Sequence, residues 1–184
     1  MIESFTLGEI PKCNFYRTGE KNLDSILLNQ YNAALSMLEN CINNYKDDIW
    51  YNSDNYLNPA WQIAYHTIYY ANIYCSSSRK EIVHWENEIA DYNMLKRTSK
   101  SKRKKADKKY SQKEMKDFLN FVKKNIPQYL TNMKPDNKCW PNWYNLQQNE
   151  FHINNIRHIQ HHTAQLIERH DIIKEMPYEW LSVK

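Results

Sequence analysis

Glycine is nearly absent from this chain, and that shortage limits the possible folds more than any other feature. Only Gly8 and Gly19 occur among the 184 residues. Tight hairpin turns and phosphate-binding loops use glycine because it adopts positive φ angles at no steric cost. A many-stranded β protein is therefore disfavoured, and the number and spacing of the glycines exclude Rossmann and P-loop nucleotide-binding folds. The sequence predicts an all-α protein.

Length and composition predict a single domain over residues 1–184. The chain is 41% hydrophobic and 25% charged, as is usual for a globular protein. A chain of this size can bury about 70% of its surface, which is enough for one core. No apolar run approaches the roughly 18 residues of a membrane-spanning helix, so no membrane association is expected.

The predicted location is the cytoplasm. The first residues, Met1 to Thr6, lack the basic-then-apolar order of a signal peptide. The four cysteines lie far apart, at positions 13, 41, 75 and 139, and form no C-x-x-C motif. This pattern favours reduced thiols over a disulfide framework or a cysteine zinc site.

Apolar residues at three- and four-residue spacing predict the first two long helices. The first is expected from Leu23 to Tyr45. The second is expected from Asn58 to Cys75, with Asn58 as the capping residue and Pro59 at the first helical position.

Two more long helices are predicted in the second half of the chain. Ser111 and Glu114 form the capping box that opens the third, and Pro127 is expected to kink it or to end its first half. The fourth is expected from about Asn145 to about His170. A weaker helix is predicted over residues 81–95, and residues 139–144 are expected to form a connection that packs on the helices.

Four long helices predict a four-helix bundle with one long crossover. A basic loop, residues 96–109, precedes the third long helix and contains nine lysines and arginines. Such blocks are usually solvated loops, and this one has no aromatic residue on which a nucleic-acid base could stack. A nucleic-acid partner is therefore not favoured, although an acidic partner for this loop stays open as an alternative.

Histidines crowd the predicted fourth helix, where His158 and His162 are four residues apart. This spacing turns them only about 40° apart around a helix, with their Cβ atoms roughly 6 Å apart, so that both imidazoles can reach one ion. They flank the apolar stripe of the helix, whereas His161 is expected to point outward. Alternatively, both are ordinary surface or core histidines that bond to carboxylates and carbonyls.

His66 lies within the apolar and aromatic second helix and needs a polar partner if it is buried. It could bond to a tyrosine or a backbone carbonyl, or it could complete a three-histidine metal site with an open coordination position. Asn155 and Gln165, one turn to either side of the histidine pair, are candidates for a second shell that holds a ligand or a metal-bound water. Tyr69, Tyr70, Trp140 or Trp143 could line the pocket, although such aromatics are more often plain core.

Three stretches of the chain resemble the DinB-like (DinB/YfiT) superfamily of metal-dependent four-helix-bundle proteins. They are residues 61–67 in the second helix, 110–114 at the start of the third and 155–166 in the fourth. One histidine in the second helix and H-x-x-x-H followed by x-x-Gln-Leu in the fourth look like the metal triad of that family. The resemblance places the metal ligands at His66, His158 and His162.

The resemblance implies a divalent ion, nickel, zinc or iron, and the chemistry of a hydrolase or a thiol (S-)transferase that acts on a small molecule. It assigns no catalytic residue beyond the ligands. The alternative is a non-catalytic binding or structural bundle, a homodimer among the options, whose Lys/Arg-rich loop 96–109 contacts an acidic partner or nucleic acid.

Overall fold

The structure, a computed structural model, describes residues 22–53, 56–96, 98, 100, 107–171 and 180–182. Within these residues the regular structure is helical, and the only pairing of extended backbone is an isolated bridge between Lys138 and Gln147. The prediction of an all-α chain is confirmed for this part. Besides a 3-10 turn at Arg79–Glu81, the helices are α1 (Leu23–Asn44), α2 (Asp47–Tyr51), α3 (Ala60–Cys75), α4 (Gln112–Asn132) and α5 (Gln148–Asp171).

Local signals account for where two of the long helices begin. The Asn22 side chain accepts a hydrogen bond from the Ser25 backbone N–H at 2.9 Å and caps α1. At α4, the Ser111 hydroxyl accepts from the Glu114 N–H while the Glu114 carboxylate accepts from the Ser111 N–H. The predicted capping box is therefore confirmed.

The prediction for Pro59 needs correction, and so does the option that Pro127 ends the first half of its helix, whereas the option of a kink stays a prediction. Helix α3 begins at Ala60 with Pro59 at the cap, and the Asn58 side chain instead bonds to both the N–H and the carbonyl of Lys96. Helix α4 does not end at Pro127 but continues to Asn132. Its final turns are held by packing, since Tyr129 and Leu130 are buried in the core.

The four long helices pack so that each contacts two others. Helix α1 lies against α4 and α5, and α3 lies against the same two helices. The core between them is rich in large aromatic rings, of which Trp50, Trp61 and Tyr65 are almost completely buried. Because α3 packs along α5, side chains on the facing sides of these helices come within reach of one another.

Residues 82–96 do not form the predicted weak helix. Asp91 has a φ of 68°, in the left-handed region, which is incompatible with a continuous right-handed helix. The Trp85 side chain points away from the segment and stacks on Phe118 of α4, with ring centroids 4.5 Å apart. The segment is instead an irregular layer that covers one side of α3, and burial of its aromatic side chains outweighs its weak helical periodicity.

Part of the connection between α4 and α5 packs on the helices, as expected, and part of it is exposed. Cys139 joins a small second core with Ile73, Tyr74 and Phe151. Trp143 is 72% exposed, so this aromatic side chain is not part of that core.

Several predictions extend beyond the described residues. Residues 1–21, which contain both glycines and Cys13, and most of the centre of the basic loop 96–109 lie outside them. Cys41, Cys75 and Cys139 are buried, and none of these three is joined to another by a disulfide. Among the described helices, none combines the length and the apolar character that crossing a bilayer requires.

Candidate metal centre

The structure brings His66 from α3 together with His158 and His162 from α5. One potential ligand nitrogen from each imidazole lies within 4.8 Å of those from the other two. The Nε2 atoms of His66 and His158 are 3.2 Å apart, and the His162 ring centroid lies 4.6 Å from the centroids of both other rings. Spacing along α5 and packing of α3 on α5 thus produce one cluster of three imidazoles.

Burial keeps these imidazoles neutral. Desolvation lowers the pKa of His66 from 6.5 to about 4, although the bond to the Asn93 carbonyl partly opposes the shift. Desolvation, with smaller repulsion from His162 and His66, lowers the pKa of His158 to about 3. The pKa of His162 is lowered for the same main reason. At neutral pH all three side chains are therefore in the form that binds metal ions.

Hydrogen bonds determine which nitrogen faces the centre of the cluster. His66 Nδ1 lies 2.6 Å from the Asn93 carbonyl oxygen, and His162 Nδ1 lies 2.8 Å from Gln165 Oε1. Both oxygens can only accept, so each Nδ1 carries the proton and each Nε2 is unprotonated, and the Nε2 lone pair of His66 accepts from His158 Nε2 at 3.2 Å. This pattern, with the outer nitrogen donating to an oxygen, is typical of histidines that ligate metals.

His158 differs from the other two histidines. Its Nδ1 is buried and has no hydrogen-bond partner among the described residues. Within the described residues, only the Nε2 atom of His158 therefore has a hydrogen-bond partner, which is the Nε2 atom of His66. The alternative that His158 and His162 are ordinary histidines bonded to carboxylates and carbonyls fits the Nδ1 of His162, which bonds to the Gln165 carbonyl oxygen, but not the Nδ1 of His158 among the described residues.

The cluster opens into a cavity of about 660 Å³. Tyr70 lines it, as predicted, together with Tyr74 and Tyr144. The other three aromatic candidates, Tyr69, Trp140 and Trp143, line a separate cavity of about 400 Å³. Of the four alternatives, only Tyr70 therefore lines the histidine pocket. Tyr69 does not, because a helix rotates consecutive residues by about 100° and so sends Tyr69 and Tyr70 to different sides of α3.

The two second-shell candidates have different surroundings. Gln165 contacts the cluster through His162, and its amide nitrogen lies 3.1 Å from Nε2 of the exposed His161. Asn155 is fully buried and donates to the Tyr31 hydroxyl and the Ala71 carbonyl. Asn155 and these two partners are not among the residues that line the cavity, and its proposed role in holding a ligand or a metal-bound water stays a prediction.

Three residues of the site were not identified from the sequence. Asn93 orients His66 from within the irregular segment 82–96, where the weak helical periodicity gave no sign of this contact. Lys96 and Arg169 line the cavity. Helical periodicity does place Arg169 on the face of His158, eleven residues and therefore about 20° away around the helix, but that position alone did not mark it as a site residue.

Three neutral nitrogen donors with an adjoining cavity can hold a divalent cation and leave room for a further ligand. Comparison of the chain with family models, with curated proteins and with solved structures finds no match in any of the three.

Proposed function

We propose that this chain is a divalent-metal-binding protein whose ligands are His66, His158 and His162. We also propose that the chain is similar to DinB-like proteins. Its helices α1, α3, α4 and α5 would then form a four-helix bundle with a long crossover. The pairwise packing of these four helices is consistent with such a bundle. The site, more than the fold, carries the functional argument, since helical bundles support many different chemistries.

The observation that carries the proposal is the meeting of three neutral imidazoles from two helices within 4.8 Å. Desolvating three polar rings is costly unless they gain an interaction that compensates for it. Protein hydrogen bonds leave the His158 Nδ1 without a partner, and they leave the His66 and His162 Nε2 lone pairs on the cluster side. A cation shared by the three rings would bind the Nε2 lone pairs of His66 and His162 together with the Nε2 of His158, which faces His66, and His158 would then carry its proton on Nδ1.

The proposed activity is that of a hydrolase or a thiol (S-)transferase acting on a small molecule. A divalent ion bound by neutral ligands acts as a Lewis acid and lowers the pKa of a water or thiol ligand. The protein's own groups would position the reactants: Asn93 and Gln165 fix the orientation of two imidazoles, and Tyr70, Tyr74 and Tyr144 line the adjoining cavity. An all-imidazole site suits nickel, zinc or iron better than magnesium or calcium.

Metal content measured by elemental analysis would test the proposal directly. Protein purified without an affinity tag should contain about one nickel, zinc or iron ion per chain, as one three-histidine site requires. The variant His158→Ala should lose it, because two imidazoles remain.

The exposed neighbour His161 provides a matched control on the same helix. The variant His161→Ala should retain the metal of the wild-type protein. Absence of metal from the wild-type protein even after incubation with each of the three ions would reject the proposal, as would equal metal content in the two variants.

A further inference from the structure

The cavity beside the three histidines carries positive charge that the proposed metal site does not explain. Arg169 and Lys96 both line it, and no aspartate or glutamate is among the described residues of its wall. In the described part of the chain, neither cation has a carboxylate within ion-pair distance. Two cations that line one cavity without a described carboxylate in ion-pair distance favour a ligand that supplies the negative charge.

Arg169 is held in a fixed position, and the described residues accept only one hydrogen bond from its guanidinium. One of its terminal nitrogens donates to the Asn58 carbonyl at 2.8 Å, and the guanidinium lies 4.0 Å from the centroid of the Tyr56 ring. An arginine has five N–H donors arranged as a planar fork. This one is half-buried and remains charged, so its remaining donors can receive an oxyanion in a bidentate manner.

The rest of the cavity wall includes apolar side chains. Leu57 and Met94 are 43% and 55% exposed, and Ile63 and Leu95 also line the cavity. Exposed apolar groups beside a cavity of about 660 Å³ suit the hydrocarbon part of a small molecule. The wall therefore combines a cationic group with an apolar surface.

We infer that the cavity binds a small organic carboxylate, with the carboxylate on Arg169 and Lys96 and the apolar part against Leu57 and Met94. The inference extends the proposed function, on which it rests for the assignment of this ligand as the substrate of a metal site. None of the three imidazoles is negatively charged, so a divalent ion there would add to the positive charge of the cavity and further favour an anion.

Isothermal titration calorimetry with two matched probes would test the inference. The probes are 4-phenylbutyrate and its uncharged amide, 4-phenylbutyramide, which share the same apolar part. Each is titrated into the full chain, metal-free and after loading with zinc. In both forms the carboxylate should bind at least about tenfold more tightly than the amide, as is typical of hydrogen bonds to a charged group.

The variants Arg169→Gln and Lys96→Gln should each reduce this preference, and Arg169→Gln should remove most of it. Arg157 lies on the exposed side of α5 and provides the charge-matched control Arg157→Gln, which should bind both probes as the wild-type protein does. The inference is overturned if wild-type protein binds neither probe or binds both equally, or if neither variant changes the preference.

The two proposals fail in different ways. If the protein takes up no metal but the metal-free form prefers the carboxylate through Arg169, the inference stands and the proposed function fails. If the protein binds metal but does not distinguish the carboxylate from the amide, the proposed function stands and the inference fails.

Discussion

The surroundings of each histidine on α5, more than its position in sequence, decide what it can do. His161 is exposed, whereas His162, the next residue, is buried against His66. His152 is also buried, but its Nδ1 pairs with the Tyr31 hydroxyl at 2.9 Å and not with another imidazole. One helix thus carries a solvent-facing histidine, a hydrogen-bonded core histidine and two members of the cluster.

Replacing Gln165 by leucine should weaken metal binding about tenfold to hundredfold, as loss of an outer partner of a ligating histidine does. The Gln165 oxygen holds the proton on His162 Nδ1, so its removal frees the ring to rotate. An equilibrium competition titration with a chelator would measure the change. The control is Gln160→Leu, because the Gln160 amide contacts Met37 and not a histidine of the cluster. Equal metal affinities of the two variants would contradict the role of Gln165 in orienting His162.

His152 should make the protein less stable in acid. Burial lowers its pKa from 6.5 to about 4, so between these pH values the unfolded chain binds a proton that the folded chain does not. Its contribution to stability is therefore complete above about pH 6.5 and is lost as the pH falls to about 4, by about 3 kcal/mol. Urea unfolding across this range should show a smaller loss for His152→Asn, and an unchanged pH dependence would contradict the assignment.

The segment 82–96 shows how an element without regular structure is held in place. Its backbone groups bond to side chains from the helices: Asn72 donates to the Val83 carbonyl, and Gln62 donates to the Met94 carbonyl. Buried backbone groups need partners, and here helix side chains supply them where a helix or sheet would use its own backbone. The same layer carries Asn93, so its attachment also fixes His66.

Removal of one of these attachments should destabilise the protein. The Tyr65 hydroxyl accepts from the Ile89 N–H at 3.2 Å and donates to the Ile89 carbonyl at 3.3 Å, so Tyr65→Phe leaves two backbone groups without this partner. We expect a loss of about 1–3 kcal/mol in urea unfolding and faster hydrogen exchange of the Ile89 amide.

Tyr69→Phe is the matched control for that variant. Tyr69 is on the same helix and stacks on Tyr65, but its hydroxyl has no bond to the described part of segment 82–96. A similar loss of stability in both variants would show that the aromatic packing, and not the backbone attachment, was disturbed.

At the scale of the whole molecule, the three-histidine cluster joins α3 to α5, which are separated by more than seventy residues in the chain. The ligand set therefore exists only in the folded protein. A ligand that binds only the folded state stabilises it by mass action.

Zinc or nickel at about 100 times its dissociation constant should raise the free energy of unfolding by about 2.7 kcal/mol. Urea unfolding with and without the metal would measure this increase. The variant His66→Ala lacks one ligand and should show little of it. An equal increase in the variant would mean that the metal acts at another site.

The sequence alone determined the features that depend on neighbours within a few residues. The capping box of Ser111 and Glu114, the all-helical character and the i, i+4 spacing of His158 and His162 follow from local backbone geometry. Local geometry also led to an error. The helix predicted over residues 81–95 does not form, because Trp85 is buried against other parts of the chain, and local periodicity contains no information on that contact.

The tertiary structure decided which residues meet across the chain. The contact of His66 with His158 depends on the packing of α3 on α5, and the resemblance suggested this contact where spacing left it open. The position of Asn155 beside Tyr31, the bond from Asn93 to His66 and the place of Arg169 in the cavity depend equally on packing. Periodicity identifies the face of a helix, but the neighbour of that face is set only when all the helices pack together.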